Sequence, residues 1–228
     1  MGYVEREAFP AAVLVARMEE QALDQAPIWD DLATFPGHLY SGRVDLISAG
    51  FPCQPFSAAG KRQGKADDRW LWPLIADTIQ QVRPGRVFLE NVPGVIRHGL
   101  PDILRDLAEM GFDAEWGLFR ADTHAGAPHR RQRFFLLADC DSLHDHGSGQ
   151  TGQAGRYESP DRSHPVAEYP PGPSDVDGWR HYEGPQPAVC RGADGAAYRV
   201  DRLRALGNAA VPQCVAVAYR ELDRRLTL

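Results

Sequence analysis

The residues Gly50-Phe51-Pro52-Cys53-Gln54-Pro55-Phe56-Ser57 place a cysteine in a loop that is bracketed by prolines. The loop directly follows the mainly apolar run Val44 to Ala49, which is typical of a buried strand. A loop that leaves a sheet can present a thiol rigidly toward a bound substrate. An unperturbed thiol, with a pKa of about 8.5, is only slightly ionised at pH 7. We therefore predict that Cys53 is a nucleophile whose site favours the anion or couples attack to protonation of the substrate.

Further segments follow this loop in the chain: Glu90-Asn91-Val92 after a second apolar strand, Arg131-Gln132-Arg133 before a third, Gly207 to Pro212, and a terminal amphipathic helix. In this order the segments resemble the motif series of the DNA cytosine-5 methyltransferases. The resemblance runs from about Tyr3 to Ala138 and resumes from about Arg191 to Leu222. It implies methylation of carbon 5 of cytosine in double-stranded DNA, through a covalent cysteine adduct with a flipped base, as in restriction-modification or phage self-protection.

The resemblance also implies a catalytic role for each matching residue. Carbon 5 of cytosine is a weak nucleophile, so Cys53 would add to carbon 6 while Glu90 donates a proton to the ring nitrogen, which requires a pKa raised by desolvation. Arg131 and Arg133 alternate on an incipient strand and would hold the base carbonyl and the cysteine loop, with Arg131 the favoured substrate contact. His129 stands where the family's Gln-x-Arg-x-Arg pattern has glutamine. Further substrate contacts are implied for Gln54, Ser57 and Asn91.

The methyl donor implied by the resemblance is S-adenosylmethionine. Glu5 is assigned to its ribose hydroxyls, Asp31 to its adenine amino group, and Pro52 to the cofactor side of the loop. A carboxylate just past a strand is the expected ribose ligand in a dinucleotide-type fold. Asn208 either braces the cofactor pocket or has a pure packing role.

The hydrophobic pattern predicts an α/β protein. Val44 to Ala49 and Val87 to Val92 are runs typical of strands buried in a parallel sheet, and helical spacing between them completes a strand-helix-strand unit. A strand ending near Glu5, a helix opening near Pro10 and another near Pro101 extend the pattern. Two more strands are predicted over 112–119 and 134–138. Together with the resemblance, the pattern predicts a Rossmann-like doubly wound methyltransferase sheet.

The chain divides into three parts by composition and hydrophobic pattern. Residues 1–140 are predicted to form the catalytic core, and residues 191–228 to return to it with the terminal helix. Between them, 11 of the 32 residues from Gly147 to Gly178 are glycine or proline and no hydrophobic period survives. Such composition indicates a loop-rich insertion or a linker. The resemblance places the target-recognition region in this interval, 141–190.

The family's first motif, a strand followed by a Phe-x-Gly-x-Gly turn, is not matched. In the family's sheet this strand lies centrally, so its absence would leave two unpaired strand edges. We expect an incomplete sheet, in an amino-terminally truncated form or in one half of a split enzyme. A complementing chain that carries the first motif is therefore a possible partner.

Composition excludes several classes of protein. A formal charge of -6 and a pI near 5.7 argue against nonspecific coating of nucleic acid, although 129–133 and the arginines at 191, 199, 202 and 204 form local basic clusters.

The four cysteines lie 87, 50 and 24 residues apart, which fits neither zinc ligands nor a disulfide framework. The group His144-Asp145-His146 lacks a third ligand, so no metal is expected. No membrane span is expected, and a reducing cytoplasm fits.

Three other interpretations stay open at this stage. The same chemistry could act on transfer RNA, or the chain could be an inactive remnant that binds DNA or a partner subunit. A cysteine hydrolase fits less well, because no histidine occupies an evident base position near Cys53. The DNA target sequence depends on side chains in the 141–190 interval.

Overall fold

The computed structural model describes residues 1–52, 70–127, 130–140 and 209–227. Several predicted features lie outside these residues. They are the site residues Cys53, Gln54, Ser57 and Asn208, His129, the group His144-Asp145-His146, the 141–190 interval, and residues 191–208 with the arginines at 191, 199, 202 and 204.

The amino-terminal part forms a small parallel sheet of two strands. Strand β1 (Tyr3–Val4) pairs with β2 (Ile28–Trp29), and helix α1 (Ala8–Glu19) connects them. Two backbone hydrogen bonds extend the ladder, from Tyr3 N to Pro27 O and from Glu5 N to Trp29 O, both 2.9 Å long. Strand β2 was not predicted from the sequence, because two residues are too short to show a hydrophobic period. Two 3₁₀ turns follow, Leu32–Thr34 and Gly37–Tyr40.

The remaining strands form a mixed sheet in the order β3-β4-β6-β5. Strands β3 and β4 are parallel, and β6 is antiparallel to both β4 and β5. The antiparallel direction of β6 was not predicted. It follows from the short connection after β5, because antiparallel neighbours need no long crossover. The bounds are β3 (Leu46–Gly50), β4 (Arg86–Asn91), β5 (Asp113–Arg120) and β6 (Gln132–Asp139).

Helices cover both faces of the mixed sheet. One core contains α2 (Trp72–Val82) and α4 (Leu100–Glu109), which pack on Val87, Leu89 and Leu136. The other contains the terminal helix α6 (Pro212–Leu226), which packs on Phe88, Phe135 and Leu137. The continuous apolar runs of β4 and β6 are those of strands that are buried on both faces. The short helices α3 (Val95–His98) and α5 (Ala121–Ala125) complete the described elements.

A buried ion cluster fixes α6 to the sheet. The Arg86 guanidinium lies 2.7 Å from Asp139 Oδ2 at the end of β6 and 2.9 Å from Asp223 Oδ1 on α6. It also donates to the Tyr219 hydroxyl, at 3.2 Å. The side chains of the three charged residues are at most 14% exposed. The cluster therefore holds the helix in one register against β4 and β6.

The predicted α/β architecture is confirmed, with helices on both faces of the mixed sheet. Among the described strands, β1 pairs only with β2, and β3 and β5 are the two edge strands of the mixed sheet. The expected incomplete sheet stays a prediction. Within the described residues, no helix is long and apolar enough to cross a membrane.

Candidate active site

The predicted catalytic glutamate lies where β3 and β4 end side by side. Gly50 and Glu90 are paired across the two parallel strands, and a Cβ at Gly50 would lie 3.2 Å from Glu90 Oε2. The glycine therefore allows the carboxylate to lie against the backbone of β3. Ligands of α/β sheets bind outside the carboxyl ends of the strands. Glu90 thus stands next to the start of the loop that continues through Pro52 to Cys53.

An ion pair with Arg133 holds the Glu90 carboxylate. Arg133 Nε lies 2.9 Å from Glu90 Oε1, and both side chains are 17% exposed. The two residues are on neighbouring strands, with Glu90 paired to Phe135 two residues beyond Arg133. This diagonal arrangement lets a long side chain reach across the sheet. The carboxylate therefore has a fixed orientation at the edge of the site.

Burial changes the protonation of Glu90 despite the neighbouring arginines. Desolvation raises the pKa of this carboxyl, while the charges of Arg133 and Arg131 and the hydrogen bond from Arg133 oppose the change. The net direction is upward. A raised pKa increases the population of the neutral acid near pH 7, which is the form that can donate a proton.

Arg131 lies just before β6 and connects the site to the chain that leads into α6. Its Nη2 donates a hydrogen bond to the Ala209 carbonyl oxygen. Desolvation, and to a smaller extent the charge of Arg133, lowers the pKa of the Arg131 guanidinium. The contact of Ala209 could not be predicted from the sequence, because any residue can supply a backbone carbonyl.

Asn91 supports the backbone at the end of β3. Its side chain is buried, and its Nδ2 donates to the Phe51 carbonyl at 3.3 Å. Its Oδ1 accepts from Val92 N at 2.8 Å. Asn91, the last residue of β4, thus connects the end of this strand to Phe51, the residue before Pro52. The predicted substrate contact of Asn91 stays a prediction.

The two predicted cofactor carboxylates lie at the carboxyl ends of the small sheet. Glu5 follows β1, and its Oε1 accepts from Glu7 N at 2.7 Å. Asp31 follows β2, and its Oδ1 accepts from Ala33 N at 3.0 Å. These local hydrogen bonds fix two acceptor groups just past paired parallel strands. Carboxylate acceptors in this position suit the hydroxyl and amino donors of a nucleoside.

The structure therefore brings the predicted residues together in two groups. Glu90, Arg131 and Arg133 surround the carboxyl end of β4, with Asn91 and Pro52 beside them. Glu5 and Asp31 form the other group, at the ends of β1 and β2.

Two kinds of comparison relate the chain to known proteins. It is 37% identical over 114 residues to the type II methyltransferase M.MspI of Moraxella sp, a match covering 47% of this chain and 26% of that protein. It is 39% identical over 112 residues to M.BanI of Aneurinibacillus aneurinilyticus, covering 47% and 24%. A crystal structure of a Spodoptera frugiperda DNMT2 mutant superposes with a TM-score of 0.49 and 22% identity, covering 62% of this chain and 43% of that one.

The matched part of the chain spans about a quarter of the length of M.MspI and M.BanI. A model of the family of C-5 cytosine-specific DNA methylases matches residues 21–181. This match covers well over half of the 228 residues and includes the loop of Cys53, the Glu90 strand and both site arginines. The chain therefore belongs to the C-5 cytosine-specific DNA methylase family.

Proposed function

We propose that this protein transfers a methyl group from S-adenosylmethionine to carbon 5 of a flipped cytosine in double-stranded DNA, through a covalent adduct of Cys53. One observation carries the proposal. The desolvated Glu90 carboxyl, oriented by Arg133, lies against Gly50, three residues before Cys53. A proton donor and a nucleophile are thereby attached to adjacent strand ends.

The proposed chemistry begins with nucleophilic addition to the ring. The Cys53 thiolate forms a bond to carbon 6, the ring double bonds shift so that carbon 5 becomes electron-rich, and the electron pair released onto the ring nitrogen takes the proton of Glu90. S-adenosylmethionine, when bound, would supply an electrophilic methyl group: carbon 5 would bond to the methyl carbon as the methyl–sulfur bond breaks, S-adenosylhomocysteine would leave, and the ring-nitrogen proton would return to Glu90. A base then removes the carbon 5 proton, and the electrons of that bond expel Cys53 as thiolate. The product is 5-methylcytosine, and Cys53 is regenerated.

Arg133 and Arg131 have distinct parts in this scheme. Arg133 orients Glu90 through the 2.9 Å ion pair. Arg131 lies on the same side of the sheet end and is close enough to influence the protonation of Glu90 electrostatically. We assign Arg131 to the base carbonyl, because a guanidinium offers several donors in a fixed geometry.

Glu5 and Asp31 would hold the ribose and the adenine of the methyl donor. The chemistry of the two carboxylates fits, and each is fixed by a local backbone hydrogen bond. Pro52 and Asn208 complete the proposed pocket. The biological role that follows is modification of DNA in restriction-modification or in phage self-protection.

The test is covalent trapping on double-stranded DNA that contains 5-fluorocytosine. The fluorine cannot be removed as the proton is, so the adduct accumulates when methyl donor is present. We expect a denaturation-resistant complex with the unmodified protein and with Cys140→Ala, whose thiol lies at the end of β6. Cys53→Ala should bind the DNA and form no adduct.

Other outcomes would contradict the proposal. Absence of any adduct with unaltered DNA binding would support a protein that only binds DNA. Methylation of transfer RNA with no transfer to duplex DNA would change the substrate.

A complementing chain is a separate part of the proposal. The open edge of β3 lies next to Gly50, and β1 also has a single neighbour among the described strands. We infer that a strand carrying the Phe-x-Gly-x-Gly motif occupies the open edge of β3. A synthetic peptide with that motif should increase the yield of trapped adduct, whereas a peptide with scrambled sequence should not. Full adduct formation without the peptide, and no increase with it, would rule out the partner.

A further inference from the structure

The segment 53–69, which contains Cys53, begins and ends at one aromatic contact. Phe51 precedes the segment and Trp70 follows it, and both side chains are at least nine-tenths buried. Their ring centroids are 5.8 Å apart with an interplanar angle of 66°, an edge-to-face arrangement. The two residues that flank the segment are therefore joined through their side chains.

Each ring of this pair is held by a different part of the fold. The Phe51 carbonyl accepts the hydrogen bond from Asn91, and the Phe51 ring also lies 6.4 Å from that of Trp72. Trp70 packs on Gly99, the residue between α3 and α4. The contact thus connects the flanks of the segment with the end of β4 and with the start of α4.

The glycine at position 99 is explained by the Trp70 indole. A Cβ at this position would lie 2.4 Å from Trp70 Cη2 and 3.1 Å from Cζ2. The first distance is too short for any side chain unless the indole moves. The φ angle of Gly99 is -116°, which every residue adopts without strain. Space for the indole, and to a smaller extent for Val95 Cγ2 at 3.1 Å, therefore requires glycine here, whereas backbone conformation does not.

We propose that Trp70 and Gly99 are positioning residues for methyl transfer. The Trp70 indole, seated on Gly99 and against Phe51, fixes the distance between the two ends of the segment that carries Cys53. A chain segment whose two ends are held together has fewer accessible conformations, and we infer that this restriction speeds the attack of the Cys53 thiol on carbon 6. This inference rests on the function proposed above. Neither residue is assigned any contact with DNA or with the methyl donor.

The experiment measures single-turnover adduct formation and DNA affinity for four proteins: unmodified, Gly99→Ala, Trp70→Phe and the double variant. Gly99→Ala should slow adduct formation about 10- to 100-fold, because the added methyl displaces the indole. The dissociation constant of Gly99→Ala for DNA should stay within about two-fold of that of the unmodified protein, since no DNA contact is lost. Trp70→Phe removes Cη2 and Cζ2, so the double variant should recover most of the rate lost in Gly99→Ala.

Gly85→Ala is the matched control. A Cβ at Gly85 would meet the Asp45 carbonyl oxygen at 3.5 Å, which is ordinary contact. This variant should keep the rate of the unmodified protein. If Gly99→Ala does not fold, as judged by its thermal unfolding, Trp70→Leu tests the same contact with Gly99 intact, and the same slow adduct formation with unchanged DNA affinity is expected.

The outcomes separate the two proposals. If the unmodified protein forms no adduct, the proposed function fails. If it forms the adduct and folded Gly99→Ala or Trp70→Leu forms it equally fast, the positioning role is wrong and the function stands. The positioning role is also wrong if the rate reductions of Gly99→Ala and Trp70→Phe multiply in the double variant and the rate of adduct formation does not recover.

Discussion

At the scale of single residues, two opposing effects act on Glu90. The neighbouring arginines favour the carboxylate, while burial favours the neutral acid, and burial has the larger effect. The Arg133 ion pair is thus compatible with a proton donor, since it orients the carboxyl while the pKa of the carboxyl still lies above its ordinary value. A fixed orientation and a raised pKa are the two properties that the proposed proton transfer requires.

Glu90→Gln should slow methyl transfer by about 10²- to 10⁴-fold, because the amide keeps the shape and cannot donate the proton. The measurement is transfer of radiolabelled methyl from S-adenosylmethionine to duplex DNA. Glu109→Gln is the control, since the Glu109 side chain on α4 is 71% exposed. An equal loss in both variants would argue against an acid role for Glu90.

The raised pKa of Glu90 also predicts a dependence of stability on pH. A carboxyl whose pKa is higher in the folded state contributes stability that is fully present below its ordinary value of 4.5 and is lost as the pH rises through the folded pKa. Compared with Glu90→Gln, the free energy of unfolding of the unmodified protein should therefore fall as the pH rises from 4.5. Urea unfolding of both proteins between pH 4 and pH 8 measures the difference. A difference that does not change with pH would contradict the assigned direction.

At the scale of elements, α6 is fixed by charges as well as by apolar packing. Arg86 contacts Asp139 and Asp223, so one cation compensates two nearly buried carboxylates on different elements. The helix begins three residues after Ala209, which accepts the hydrogen bond from Arg131. The ion cluster therefore fixes the helix that the chain enters directly after the Arg131 contact.

Arg86→Leu should lower the free energy of unfolding by about 3–5 kcal/mol, because it leaves the two buried carboxylates without their cation. Arg105→Leu is the control. Its ion pairs are on the surface, with the arginine side chain 59% exposed, so solvent screens them and their loss should change the free energy of unfolding little. Denaturant unfolding monitored by fluorescence measures both. Similar losses in the two variants would show that the cluster is not a special source of stability.

At the scale of the whole molecule, the proposed DNA substrate requires a chain of net charge -6 to approach an anionic polymer. Local positive charge near the site can overcome this unfavourable balance. Arg130 is 86% exposed and lies just before Arg131 and the start of β6. Arg130 Nε lies 4.0 Å from Asp122 Oδ2, and this carboxylate has a closer partner in Arg120, whose Nη2 lies 2.5 Å from the same oxygen. Arg130 therefore directs its charge largely toward solvent, beside the site.

Arg130→Gln should weaken DNA binding to a similar extent for all sequences. It should also reduce the slope of log affinity against log salt by about one, as expected when one phosphate contact is lost. Fluorescence anisotropy at several salt concentrations measures the slope. Arg17→Gln, an exposed arginine on α1 paired with Glu20, should leave the slope unchanged. A slope that is unaltered in Arg130→Gln would place the DNA elsewhere.

The sequence by itself determined the family and the α/β class, because the cysteine loop, the Glu90 strand and the arginine motif occur in order. It also determined most strands, because the central residues of β4 (87–89) and β6 (134–138) are buried and form uninterrupted apolar runs. The match of residues 21–181 to the family model confirms the resemblance. The assigned roles of all the site residues stay predictions, and Cys53, Gln54, Ser57 and Asn208 also lie outside the described part of the structure.

Only the tertiary structure decided how distant residues meet. The approach of Glu90 to Gly50, the acceptance by Ala209 of the Arg131 hydrogen bond, and the seat of Trp70 on Gly99 all join segments far apart in the chain. A sequence pattern reports the burial of one segment, whereas these contacts depend on strand register and on the packing of several elements. The same reason explains the pKa of Glu90, because desolvation is produced by the surrounding fold and is not a property of the residue type.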